Sequence, residues 1–201
     1  MSSPMALPIP LRGSTLARAA LRLAGWRLRF DGLPARQGVL IVYPHTSNWD
    51  FVLGIVVKWA VGIQITFWGK ASLFELPLFG RWLRWLGGVP VDRTSPNGIV
   101  GQMAREISAA RADDRFFWLA LSPEGTRHYT AAWRSGFYHV ALQAQVPVGL
   151  VFLDYGRRTV GVERFVTLSG DPVTDLATIE HGLRQPVGRR PELAAPIRFE
   201  S

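Results

Sequence analysis

A histidine and an aspartate stand five positions apart in the run His45-Thr46-Ser47-Asn48-Trp49-Asp50. On one ideal helix they would point about 140° apart. His45, however, follows Pro44, and Asp50 opens an apolar run, so a loop must turn between them. Such a turn can set the carboxylate on one imidazole nitrogen, fixing the tautomer and leaving the other nitrogen free to take a proton. The pattern has no serine or cysteine nucleophile of its own, so a substrate hydroxyl would be the attacking group. Taken alone, the pair fits a plain hydrogen-bonded surface or core histidine better.

Three more segments carry residues of use to such chemistry. In Ser122-Pro123-Glu124-Gly125-Thr126-Arg127 the glycine permits an unusual turn. Arg127 can hold a phosphate bidentately there, and Glu124 can orient that arginine or bind a hydroxyl. The bland reading is a Pro-Gly turn with a surface ion pair worth little. Gly87-Gly88-Val89-Pro90-Val91-Asp92-Arg93 delivers Arg93 to a loop as a second phosphate candidate, or again as an ion pair. Gly69-Lys70-Ala71-Ser72 resembles a phosphate loop but lacks the upstream glycine, which argues against a nucleotide site. Lys70 then reads either as a contact to substrate phosphate or as an exposed lysine at a strand end.

Elements must bring these segments together. Val39 to Tyr43 is a short β-rich apolar run that Pro44 ends, and it reads as a buried strand. A helix is expected from about Asn48 to Asp50 onward, where capping residues precede Phe51, Val52 and Ile55. Ile65–Trp68, Val89–Val91, Phe116–Leu121 and Val148–Phe152 read as further strands, with edge strands at Val160–Val162 and Phe165–Leu168. Helices are expected around Phe79–Leu86, after Pro96-Asn97-Gly98 (Ile99, Met103, Ile107 and Ala110 on one face) and over Gly136–Ala144. Strands alternating with helices predict an α/β fold: a single domain with a mostly parallel or mixed central sheet flanked by helices. The expected organisation is an amphipathic helical segment over residues 1–30, the main domain over 31–180, and an irregular tail over 181–201.

In order and spacing, these segments resemble the glycerolipid acyltransferase family related to 1-acylglycerol-3-phosphate acyltransferase. His45 and Asp50 match its H-x4-D motif, Gly87 to Arg93 looks like its G-x-I-x-I-D-R-like block, and Glu124 to Arg127 match its E-G-T-R block letter for letter. Val146-Pro147-Val148-Gly149-Leu150 is similar to its V-P-I-x-P-like strand, without the second proline, and His128 replaces the serine that often follows E-G-T-R. Trp133-Arg134-Ser135-Gly136 resembles the family's F-K-x-G stretch. The resemblance implies an O-acyltransferase in which His45 is the general base and Asp50 orients it. Arg93, Glu124, Gly125, Thr126, Arg127 and Lys70 are the implied substrate-binding residues. The acyl donor would be an acyl-CoA or acyl carrier protein thioester, the acceptor a lysolipid with lysophosphatidic acid as default; no metal or other cofactor is implied.

Composition narrows the partners. The chain has 201 residues, enough for one domain with a real core, and no cysteine, which excludes disulfides and thiolate chemistry. Its net charge of +8 favours anionic partners: nucleic acid, an anionic membrane or a phosphorylated substrate. No zinc-finger spacing or aromatic RNA-binding signature is present, so no nucleic-acid partner is expected. Eight tryptophans suit either a core or a membrane interface. Leu16, Ala20, Leu21, Leu23, Ala24 and Leu28 alternate with Arg18, Arg22, Arg27 and Arg29, as in a helix packed on the domain or lying on anionic lipid. Residues 1–14 show no secretory h-region, and Lys58 and Gln64 interrupt the apolar stretch from Phe51 to Trp68. The expected location is cytoplasmic, peripheral on the inner face of the cytoplasmic membrane. A non-catalytic lipid-binding protein on the same fold is the competing expectation.

Overall fold

The computed structural model describes residues 8–91 and 96–200. Helix α1 (Thr15–Leu23) is capped by the Ser14 hydroxyl, which accepts from Ala17 N–H. It buries Ala17 and Leu21 against the rest of the fold and leaves Leu16 and Leu23 outside. The basic amphipathic pattern was expected to stay helical through Arg29. Instead the helix stops at Gly25, whose φ of +75° ends the coil, and Arg27–Arg29 is a strand, β1. Arg-Leu-Arg suits both periods, and pairing with a partner strand decides between them.

Strand β2 (Gln37–Tyr43) follows and leads through the His45 loop into α2 (Asn48–Val61). Next come β3 (Ile65–Lys70), a single helical turn α3 (Ala71–Phe74), α4 (Pro77–Trp85) and β4 (Gly88–Val91). The second half holds α5 (Pro96–Ala112), β5 (Phe117–Leu121), α6 (Gly136–Ala144), β6 (Val148–Asp154), β7 (Thr159–Val166) and α7 (Pro172–Leu183). A short 3-10 turn, Pro191–Leu193, lies in the tail.

The seven strands form one sheet in the order β1-β7-β6-β2-β5-β3-β4. All neighbours are parallel except β6 and β7, which are antiparallel, so the sheet is mixed. The two expected edge strands over 160–168 are one continuous strand, and β1 covers it, so β7 is not an edge. Alternation along β2 sends Val39 and Ile41 to one face, where Met103, Ile107, Phe137, Val140, Ile179 and Leu183 of α5, α6 and α7 meet them. Leu40 points to the other face with Trp118, beneath Val61 of α2. Leu21 of α1, Leu53 and Ala60 of α2, and Val160 form a satellite cluster there. Met103 and Ile107 are fully buried, and truncating either to alanine costs about 2–5 kcal/mol.

The terminal segments are part of this unit. Ile9 bridges Leu33, and Trp133 bridges Phe199 in the tail. Position 180 falls inside α7, so no break in the fold separates 31–180 from the residues beyond it. Among the described residues no helix is long and apolar enough to cross a membrane; Phe51–Trp68 divides into α2 and β3, as its interrupting polar residues foreshadow.

Candidate active site

The strands β2, β5, β3 and β4 are parallel neighbours, so their C-terminal ends share one edge of the sheet. Open α/β sheets place ligands at that edge. His45 follows β2, Glu124–Arg127 follow β5, and Lys70 closes β3 two strands away from β2, roughly 10 Å at the usual strand spacing. The fold thus brings these groups to a single side. Arg93 lies outside the described residues.

The loop between β2 and α2 is fixed by its own capping. Ser47 is the N-cap: its hydroxyl accepts from Trp49 N–H, and the Asp50 carboxylate reaches back to the Ser47 N–H, a capping box. Asp50 Oδ2 also accepts from Thr46 N–H at 2.8 Å. The same oxygen lies 3.2 Å from His45 Nδ1. Asp50 Oδ1 accepts from the Tyr155 hydroxyl at 2.7 Å. The carboxylate is buried while the imidazole is partly open, and among the described residues His45 Nε2 has no hydrogen-bond partner. Burial pushes the Asp50 carboxyl up, but hydrogen bonds from His45, Tyr155 and Ser47 and the nearby imidazole outweigh it and hold the group below its usual value. Asp50 is therefore an anion at neutral pH, set against Nδ1. The Tyr155 hydroxyl is pushed upward by burial and by the Asp50 bond, which keeps it a neutral donor.

Glu124 is placed differently from the expectation that it faces the substrate. It is 2% exposed, and both its oxygens are taken by protein donors. Oε2 accepts from His45 N–H at 2.6 Å and from the Ser122 hydroxyl at 3.3 Å, and Oε1 accepts from Ala195 N–H at 3.1 Å. Burial pushes the Glu124 carboxyl up from its usual value, outweighing the pull of those donors and of the nearby His45. These bonds tie the His45 backbone to the tail. Gly125 sits at φ +66°, and a Cβ there would stand 2.9 Å from Arg134 Cδ, so the Arg134 side chain crosses over the turn. Thr126 Oγ1 accepts from His128 N–H, and Arg127 and Lys70 are exposed. Among the described residues no hydrogen bond or ion pair links either cation to His45.

Two relevant groups come from parts of the sequence that carried no candidate. Tyr155 arrives at the end of β6, and its donor to Asp50 spans 105 positions. Residues 187–195 form a strap across the loop: Val187 O accepts from Tyr155 N–H, and Arg190 N–H donates to Thr46 Oγ1. Ala195 N–H meets Glu124, and Ala195 O accepts from the Tyr43 hydroxyl. The strap also stacks the Arg189 guanidinium over Trp49 and Tyr155, 5.6 and 5.9 Å from the ring centroids. Tyr-at-strand-end is not a motif, and no local pattern points to it.

A model of the Acyltransferase family matches residues 27–151, more than half of the chain. This protein belongs to the Acyltransferase family. Within it, a 1-acyl-sn-glycerol-3-phosphate acyltransferase of Streptococcus pneumoniae is 31% identical over 100 residues, which are 49% of this chain and 35% of that protein. The match thus spans about a third of that relative's length. The crystal structure of the 1-acyl-sn-glycerophosphate (LPA) acyltransferase PlsC from Thermotoga maritima shares the fold, with a TM-score of 0.54 at 16% identity over 84% of this chain and 74% of that one. The family span contains His45, Asp50 and the Glu124–Arg127 turn; Tyr155 and the strap lie beyond it.

Proposed function

We propose that this acyltransferase-family protein moves a fatty acyl chain from acyl-CoA or acyl carrier protein onto a hydroxyl of a lysophospholipid-like acceptor, with lysophosphatidic acid as the default. The observation that carries the reading is the His45 Nδ1–Asp50 Oδ2 contact on a family scaffold, with Nε2 unpaired among the described residues. Nε2 takes the acceptor's hydroxyl proton as its oxygen attacks the thioester carbonyl. The new C–O bond forms, the tetrahedral adduct collapses with cleavage of C–S, and the imidazolium returns its proton to the leaving thiolate. The ionised Asp50 holds the tautomer and offsets the imidazolium charge as it develops. Arg127, with Arg134 laid over Gly125 beside it, supplies cationic donors for an acceptor phosphate. Lys70 and Arg93 are assigned to substrate phosphate on their sequence alone. The setting is the inner face of the cytoplasmic membrane, where such acceptors reside.

The test is to incubate purified protein with labelled acyl-CoA and a panel of lysolipids and identify products by mass spectrometry. Acylated lysolipid should form, and His45→Ala should lose about 10²–10⁴-fold in turnover while binding lipid as before. Lipid binding with no product from either protein would return the chain to the lipid-binding alternative. Free acid released at one rate with and without acceptor would point to hydrolysis instead.

A further inference from the structure

Helix α4 turns the wrong side outward. Gly80 and Leu83 are its buried positions, facing the fold. At 3.6 residues per turn the opposite crest carries Leu78, Trp82 and Trp85, spaced i, i+4 and i+7, with Arg81 beside them. A helix at the surface of a soluble domain normally puts polar residues there. Here Leu78 is 82% exposed and Trp85 72%, with Phe79, Leu76 and Leu73 of α3 open alongside. Phe51 of α2 joins this patch to a second one: its ring packs edge-on against Trp82 at 6.2 Å, and Val52 and Trp59 of α2 are exposed on the adjoining side. A cluster of this extent on one face marks an interaction surface.

The occupant is read from the chemistry of the rim. Lys70, Arg81 and Arg84 are exposed around the crest, and Glu75 is the sole acidic residue between Phe51 and Val91. Indole rings beside arginines, over an apolar crest with Glu75 as its one carboxylate, match a headgroup layer that is anionic above and hydrocarbon below. The same α2 that contributes Val52 and Trp59 begins at Asn48, directly after the His45 loop, and its first turn holds Asp50. We infer that the α3–α4 crest, extended by Val52 and Trp59, is the face by which this protein lies on an anionic lipid bilayer, and that it holds the His45 loop at the lipid surface. Helix α1, the amphipathic element with the clearest sequence signal, uses its regular apolar face on the fold through Ala17 and Leu21. This inference deepens the proposed function, since a lipid acceptor would then reach the base from the bilayer without crossing water.

Vesicle sedimentation tests it. Wild type is mixed with phosphatidylcholine vesicles with and without phosphatidylglycerol and compared with Leu78→Ser/Trp85→Ser and with Leu16→Ser/Leu23→Ser on α1. Circular dichroism and thermal unfolding check that each variant is folded. Wild type and the α1 variant should bind anionic vesicles, and the α4 variant should lose at least about tenfold in partitioning. The α4 variant should also lose turnover on vesicle-borne acceptor while keeping it on a monodisperse short-chain acceptor. Wild type that fails to bind anionic vesicles, or a folded α4 variant that binds them equally well, overturns the inference. So does size-exclusion showing that the crest buries itself in a dimer that the α4 variant dissolves. Vesicle binding needs no turnover, so wild type that binds but acylates neither acceptor refutes the proposed reaction and leaves the surface standing.

Discussion

Asp50→Asn separates what the carboxylate does by charge from what it does by geometry. Asp50 Oδ2 receives the Thr46 and Ser47 N–H groups at 2.8 Å each and lies 3.2 Å from His45 Nδ1. An asparagine must put its carbonyl oxygen in that place, because its NH2 there would face two backbone donors. The NH2 then falls toward the Tyr155 hydroxyl, which can turn to accept. The histidine tautomer survives and only the negative charge is lost. Unit charges 4 Å apart interact by about 4 kcal/mol at an effective dielectric near 20, and spreading over the carboxylate and the ring lowers this to roughly 3 kcal/mol. That corresponds to a fall in kcat of about 10²-fold. Acceptor KM should stay within about twofold, and unfolding free energy should drop by about 1–2 kcal/mol as charge-assisted bonds become neutral ones. The assay is steady-state acyl transfer, with urea unfolding alongside. A fall below about fivefold would show that the charge does not support the imidazolium. A fall of about 10⁴-fold, with nitrogen NMR shifts reporting the other tautomer, would show that the backbone donors do not set the amide.

Tyr155→Phe removes the 2.7 Å donor to Asp50; about a tenfold fall in kcat with unchanged acceptor KM is expected from a charge-assisted bond of about 1.5 kcal/mol, and a KM effect instead would make Tyr155 a substrate contact. Gly125→Ala forces a side chain onto φ +66° and into Arg134; a loss of about 1–3 kcal/mol in chemical denaturation is expected, and an unchanged midpoint would mean the turn can relax. Glu124 titrates above 4.5 in the fold, so its contribution to stability is full below that value and is lost as pH rises through the raised one. The difference in unfolding free energy between wild type and Glu124→Gln should therefore drift against wild type over that window, and a flat difference would contradict the raised value. Asp50 has the opposite sign: its stabilisation is present above 3.8 and is lost as pH falls through its lower native value, so wild type should lose more stability than Asp50→Asn in strong acid, as read by the same unfolding series.

The parts of the fold legible in the sequence are those with a local cause. His45 and Asp50 could be paired because one capping box, Ser47 to Asp50, sets both the helix start and the carboxylate's direction. The parallel strands showed as apolar runs because both sheet faces are covered. Arg27–Arg29 was misread because arginine alternating with leucine satisfies two periods, and the pairing that selects one, with Thr159–Gly161, lies far along the chain. Helix α7 went unread although Asp171 and Pro172 are a regular N-cap and N1. Glu124 shows the limit most clearly: sequence gives a glutamate in a turn, while its burial and its bond to His45 N–H depend on residue 195 closing over it.

The strap also sets an order of events during synthesis. His45 leaves the ribosome before β5 and β6, and β2 can join those strands once they have emerged. The donor for Asp50 comes from Tyr155, and the amide that completes the Glu124 bridge comes from Ala195. A nascent chain stalled at the end of the family-matched span, residue 151, would carry the histidine and its aspartate without either brace. The Glu124 brace would then arrive only after the last strand of the sheet, and a chain cut between the two would hold the His45–Asp50 pair without it.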